Sequence, residues 1–264
     1  MTTKSVDTPH LRSVVLAGHA GAGKTTLAEA LLYRTGTISR QGRVEDGTTT
    51  TDFEPEEQKR HMSLSLAVAS LDDEGNLVTV IDTPGYPDFA AEVVSGYQAV
   101  DSSLICVDAT GGVEAGTELA VSLARSNRTA ALFVVNKCDR ENADPAAVLD
   151  ALRDAFGTKI APLQLALGKA ETFSGYVDLV HRKAYKWDGK QEVEVAIPAE
   201  LEAEVARPIL FAVAIIVIVF LPLVFGERNQ MSIFLVHVAV PIVVAMLASL
   251  VIAQTLLPML AARM

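Results

Sequence analysis

Apolar positions recur in two rhythms along the first 158 residues. Residues 13–17 (Ser-Val-Val-Leu-Ala) are a short, nearly unbroken apolar run, as expected of a strand covered on both faces. A glycine-rich turn follows, then a helical stretch over 24–33. Residues 35–60 are polar, with four consecutive threonines at 48–51, and predict a long mobile loop. Residues 63–70 alternate, placing Leu64, Leu66 and Val68 on one face. A turn at 72–76 and a second strand at 77–82 complete a predicted hairpin. Helix over 89–100, strand over 102–108, helix over 116–126, strand over 129–136 and helix over 144–156 then alternate. That order predicts an α/β fold with a parallel sheet and helices on both faces. After Gly157, candidate strands at 160–167, 183–187 and 192–197 predict a small separate α+β unit, and Pro198 opens a helix.

Composition divides the 264 residues unevenly. The formal net charge is −10, but residues 1–206 carry −12 and residues 207–264 carry +2. The chain is too apolar to be disordered, and its acidity argues against holding nucleic acid by charge, so no direct sequence-specific nucleic-acid contact is expected. Two cysteines, Cys106 and Cys138, exclude a disulfide framework and fit a reducing compartment. The polar first ten residues lack a signal-peptide core. The predicted organisation is a nucleotide-binding domain at 1–158, a partial unit at 159–206 and an apolar tail at 207–264.

Three motifs carry the chemistry. Gly18-His19-Ala20-Gly21-Ala22-Gly23-Lys24-Thr25, followed by Thr26, fits G-x-x-x-x-G-K-[ST] between a strand and a helix. Its glycines let backbone N–H groups turn toward phosphate oxygens, and the helix start adds its positive end. Lys24 is expected to reach the β/γ-phosphates and the Thr25 hydroxyl to ligate Mg²⁺. Asp82-Thr83-Pro84-Gly85 ends a strand; Asp82 can hold Mg²⁺ through water, and the Gly85 N–H can meet a γ-phosphate. Asn136-Lys137-Cys138-Asp139 ends another strand. A carboxylate at Asp139 can accept from the N1–H and 2-amino groups of guanine, donors that adenine lacks. Asn136 would brace the loop, the Lys137 stem would pack on the base, and Cys138 would be a small filler. Together these predict GTP or GDP with Mg²⁺ as ligand. His19, His61 and His181 show no metal-ligand spacing.

The order and wording resemble translational GTPases of the elongation factor G type. GHAGAGKTTLAEALL, DTPGYPDFAAEV, FVVNKCDREN and TFSGYVDLVHRKAYKWDG carry the likeness over residues 10–206. The last of these resembles the subdomain that the family inserts into its GTPase domain. The resemblance implies GTP hydrolysis and the ribosome as partner. It also implies that Ser63, in Gln58-Lys59-Arg60-His61-Met62-Ser63-Leu64, stands where the family has a Mg²⁺-ligating threonine. Two substitutions depart from the family pattern. Gly21 replaces an aspartate, and Tyr86 replaces the histidine that positions the attacking water. A phenol can hydrogen-bond water but lacks the near-neutral titration of imidazole, so hydrolysis is expected to be weak or absent. The family's fifth guanine motif and its later ribosome-contacting domains have no counterpart, so the reading is of a truncated, incomplete GTPase sheet.

Residues 209–225 carry no charge, and 231–260 carry none apart from His237. About 20 residues cross a bilayer, so the tail predicts a two-helix transmembrane hairpin with both ends in the cytoplasm. RPILFAVAIIVIVFLPLVF followed by SLVIAQTLLPMLAARM resembles a helix pair of resistance-nodulation-division efflux pumps. The leading expectation is therefore a truncated GTP-binding protein joined to a pump fragment, cytoplasmic and held at the membrane through 207–264. The alternatives are a membrane-anchored regulatory GTPase or a transport component with a nucleotide domain.

Overall fold

A computed structural model describes residues 7–189, 191–198 and 201. Five strands form the first sheet in the order β2-β3-β1-β4-β5: β1 is Leu11–Gly18, β2 Ala67–Asp73, β3 Asn76–Asp82, β4 Ser102–Asp108 and β5 Ala130–Asn136. β1 runs parallel to both neighbours, with Val14 opposite Val80 on β3 and Ser102 on β4. β2 pairs antiparallel with β3, as the hairpin pattern predicts.

The unbroken apolar run of β1 follows from burial on two faces. Val14 and Leu16 point to one side, where Ala28 and Leu32 of helix α1 (Lys24–Arg34) pack with Leu71 and Val80. Val15 and Ala17 point to the other side. There they meet Val93 and Tyr97 of α3 (Ala90–Gln98), Ala120, Val121 and Ala124 of α4 (Ala115–Asn127), and Val148 and Leu152 of α5 (Pro145–Phe156). Burying side chains of this size stabilises by roughly 1.5–3 kcal/mol each, which is why no polar residue interrupts the run. α5 starts at Pro145, and the Asp144 side chain accepts from the Ala147 N–H at 3.2 Å.

Two boundaries differ from the sequence pattern for a clear reason. The strand expected from residue 63 begins at Ala67. Leu64 and Ser65 instead donate their N–H groups to Glu57 Oε1 at 2.9 and 3.1 Å, and Leu66 donates to Glu92 Oε2 at 3.0 Å, so these groups are withdrawn from the ladder. The loop expected to be mobile contains a short helix, α2 (Pro55–Arg60), and buries Thr49, Thr51, Asp52 and Glu57.

A second, four-stranded sheet has the order β6-β7-β8-β9: Gln164–Leu167, Gly175–Asp178, Lys183–Trp187 and Glu192–Val195. β7 was not expected, because Gly-Tyr-Val-Asp is short and opens on glycine. The described residues fall into two units, those up to Val180 with Tyr185–Val193, and His181–Ala184 with those from Glu194 onward. In the second, Lys183 Nζ pairs with Glu194 Oε2 at 2.8 Å. Of the helix expected from Pro198, the described part is Pro198 and Leu201, whose N–H donates to Pro198 O at 2.9 Å. The hairpin expected over 207–264 and the pump-like helix pair lie outside the described residues. Among the described residues, no helix is long and apolar enough to cross a membrane.

Candidate functional site

Four parallel strands end side by side. Gly18, Asp82, Asp108 and Asn136 are the last residues of β1, β3, β4 and β5. Loops at this edge of a parallel sheet are where such folds hold ligands.

The turn after β1 enters α1 through Gly23, whose φ of +91° is a left-handed conformation that favours glycine. A Cβ there would also collide with Asn136 Nδ2, so this glycine lets the loop after β5 close on the loop after β1. Asn136 Nδ2 donates to Ala22 O at 3.0 Å, and Asn136 Oδ1 accepts from the Lys137 N–H at 2.9 Å. Lys24 is 6% exposed and curls over the turn, donating to Gly18 O at 3.1 Å and His19 O at 2.8 Å. Burial pushes its pKa down, with Asp82 opposing. A Cβ on Gly85 would meet Lys24 Nζ and lie 2.6 Å from Ala20 N, so DTPG presses its backbone onto the same turn. Thr83 ties it there, donating to Leu16 O at 2.7 Å. His19 is engaged on its outer side, with Nε2 3.5 Å from Glu114 Oε1 and Nδ1 accepting from the Gly116 N–H at 3.4 Å. Gly21 and Thr26 are exposed on the rim.

Beside Lys24 lies a cluster of hydroxyls and carboxylates. Thr25 Oγ1 and Ser63 Oγ are 3.1 Å apart. Ser63 gives its single proton to Asp52 Oδ1 at 2.7 Å, so Thr25 is the donor to Ser63. Thr51 donates to Asp82 Oδ2 at 2.8 Å. Asp82 is 2% exposed, and among the described residues its Oδ1 has no hydrogen-bond partner. Burial raises its pKa to about 6, against the pull of nearby hydroxyls and Lys24. Burial likewise raises Asp52. A buried acceptor without a donor, next to two hydroxyl oxygens, is the donor set of a hard cation such as Mg²⁺. The residues therefore fit the ion: Thr25, Ser63 and Asp82 would hold it, and Asp82 would have to be ionised to do so. Among the described residues, no group of three or more His, Cys, Asp or Glu is arranged as a metal site, so a histidine- or cysteine-based centre has no geometry there.

At the other end of the cleft, Lys137 takes a left-handed φ of 58° and its Nζ is fixed 2.7 Å from Asp108 Oδ2. Partial burial pushes the Asp108 pKa up, but hydrogen bonds from Lys137 and Thr110 outweigh it and bring it to about 2. Asp139 is exposed on the turn that Arg140 N–H closes onto Lys137 O at 3.1 Å. Cys138 is half-buried, with Sγ 3.5 Å from Val135 O, and burial raises its pKa. Tyr86 is 46% exposed at the outer edge of DTPG.

Hydrogen bonds or close backbone packing thus join the phosphate loop, DTPG, Ser63 and Asn136. Thr51, Asp52 and Glu57 join this network from outside the motifs, and Glu29 lies beyond the G-x-x-x-x-G-K-[ST] motif on α1. Asp108 had a findable signal, since it ends a parallel strand beside the other three. An open groove of about 450 Å³ beside β5, lined by Val121, Phe133, Phe156 and Ile160 among others, contains none of the motif residues.

Comparison with known proteins agrees with this arrangement. The profile of the family described as the elongation factor Tu GTP binding domain matches residues 9–251, a span that continues beyond residue 206, where the likeness was expected to end. The chain is 36% identical over 189 residues to an elongation factor G-like protein of Thermotoga maritima, covering 72% of this chain and 27% of that protein. It is 37% identical over 199 residues to elongation factor G 2 of Streptomyces coelicolor (75% and 29%) and 35% identical over 212 residues to elongation factor G of Thermotoga maritima (78% and 31%). A crystal structure of a Thermus thermophilus protein superposes with a TM-score of 0.72 at 38% identity, covering 84% of this chain and 34% of that one. The chain spans less than a third of the length of these curated relatives. Because the profile match covers most of the chain, this protein belongs to the elongation factor Tu GTP-binding-domain family, among translational GTPases resembling elongation factor G.

Proposed function

We propose that this chain binds GTP and GDP as the nucleotide-binding part of an elongation-factor-G-type protein, and that its GTP hydrolysis is slow or absent. Members of the family bind these nucleotides with Mg²⁺. The observation that carries the reading is the bond from Asn136 Nδ2 to Ala22 O, which ties the base loop to the phosphate loop across one cleft. In this reading Gly18–Thr25 wraps the phosphates, and Lys24 leaves its two carbonyls to reach the β/γ oxygens. Thr25, Ser63 and Asp82 hold Mg²⁺, which when bound neutralises charge on the phosphates. Asn136, Lys137 and Asp139 read guanine. Tyr86 sits where a water-positioning histidine is expected, and this is the reason for slow turnover. Residues 1–158 are the binding domain and 159–206 part of an inserted unit; the ribosome is the partner that the resemblance to elongation factor G implies. The test is titration of labelled GDP and ADP with and without Mg²⁺. Selective, Mg²⁺-strengthened GDP binding supports the reading, and equal binding of GDP and ADP defeats it.

A second reading concerns the tail. The uncharged runs 209–225 and 231–260 favour a bilayer anchor that would hold a cytoplasmic nucleotide domain at a membrane. Retention in membranes through a carbonate wash supports it, and release into the wash overturns it.

A further inference from the structure

We propose that Glu29 is a positioning residue that holds the metal-facing segment 42–65 in register with the phosphate loop. The proposal rests on the nucleotide reading above and names a residue outside the G-x-x-x-x-G-K-[ST] motif, four positions beyond its last residue. Glu29 is 1% exposed on α1, one helical turn after Thr25 and on the same buried face. Among the described residues no Lys or Arg pairs with it. Its partners are backbone donors from the loop: Oε2 accepts from the Gly42 N–H at 2.8 Å, and Oε1 accepts from the Thr50 N–H. A buried carboxylate held only by main-chain N–H groups fixes those groups, because separating them would leave a charge without donors.

The clamped residues adjoin the metal-facing ones. Thr50 precedes Thr51, the donor to Asp82, and Asp52, the acceptor for Ser63, which in turn meets Thr25. The path from Thr25 along α1 to Glu29, across to Thr50, and back through Asp52 and Ser63 is a closed ring. Glu57 fastens its far side, accepting from Leu64 and Ser65 at 2.9 and 3.1 Å. The ring gives the hydroxyls of Thr51 and Ser63 one position relative to Lys24. It acts on the metal and the γ-phosphate and leaves the guanine loop untouched.

The experiment uses the full chain in mild detergent carrying Glu29→Gln. Glutamine keeps the volume and one acceptor, but its amide nitrogen opposes an N–H donor. Without nucleotide, trypsin cleavage after Arg40 and Arg43 is expected to accelerate roughly tenfold. In Mg²⁺, the affinity for a non-hydrolysable GTP analogue relative to GDP is expected to fall roughly tenfold, the size of one lost charge-assisted hydrogen bond, while GDP affinity in chelator stays within about twofold. Unchanged cleavage, or equal losses for all three affinities, overturns the proposal, since general destabilisation would weaken every ligand alike. Should the variant not fold, hydrogen exchange of the wild type decides. The Gly42 and Thr50 amides, which lie outside any helix or strand, are expected to exchange at least about a hundredfold more slowly than unstructured peptide. Unprotected exchange overturns the clamp. A wild type that binds no guanine nucleotide defeats the functional reading alone, because cleavage and exchange still report on the clamp.

Discussion

Thr51 and Asp82 are 31 positions apart in sequence, yet the Thr51 hydroxyl donates to Asp82 Oδ2 at 2.8 Å, while Oδ1 of the same buried carboxylate has no hydrogen-bond partner among the described residues. The pocket is therefore built around a carboxylate that the protein alone satisfies only by half. Burial raises the pKa of this carboxyl to about 6, against the hydroxyls and Lys24 that favour its charge.

The pH dependence of stability follows with a definite sign. A carboxyl whose folded pKa lies above its unfolded value binds more protons when folded, so stability falls as pH rises from about 4 to about 6 and stays lower above it. Two pKa units correspond to on the order of 3 kcal/mol. In chelator, Asp82→Asn is expected to unfold at higher temperature than wild type at pH 8, with the gap closing near pH 4. Parallel melting curves for the two proteins across that range contradict the raised pKa.

Lys24 is a buried ammonium bonded, among the described residues, to two carbonyls, with its pKa pushed down by burial. Lys24→Met should abolish GDP binding, a loss of at least about a hundredfold, because the phosphates lose their main point charge. Stability should change by no more than about 2 kcal/mol, since relief of the buried charge offsets the lost hydrogen bonds. Isothermal titration and thermal melting of the same sample separate the two effects.

Asp139→Asn is expected to exchange base preference. The amide presents one donor and one acceptor, matching the 2-oxo and N1–H groups of xanthine instead of the two donors of guanine. GDP affinity should drop at least about a hundredfold and xanthosine diphosphate affinity should rise, because mismatched buried polar groups are costly. Competition binding with both nucleotides checks this; an unchanged ranking removes Asp139 from the base site.

Tyr86→His should raise single-turnover GTP hydrolysis by about tenfold or more, and Tyr86→Phe should leave it unchanged. Tyr86 is largely exposed, so neither change is expected to affect folding. Fast wild-type turnover that Tyr86→Phe leaves intact would show that another group orients the water.

The sequence by itself determined the local parts. Gly18–Thr25, Asp82–Gly85 and Asn136–Asp139 are contiguous, and their geometry follows from glycine at positive φ, a helix start and strand ends, all encoded within a few residues. The alternation of β1, α1 and the later strands and helices was legible because two-sided burial demands unbroken apolar runs, as Val14–Ala17 show. Tertiary structure alone decided the rest. Four polar threonines look like solvated loop in one dimension. Three-dimensional packing buries Thr49 and Thr51 with Asp52, because Glu29 and Glu57 offer acceptors to backbone donors 7 to 21 residues away. The start of β2 shifted for the same reason. Hydrogen bonds between distant residues leave no periodicity, so the partners of Glu29 and Thr51 became visible only when the chain had brought them together.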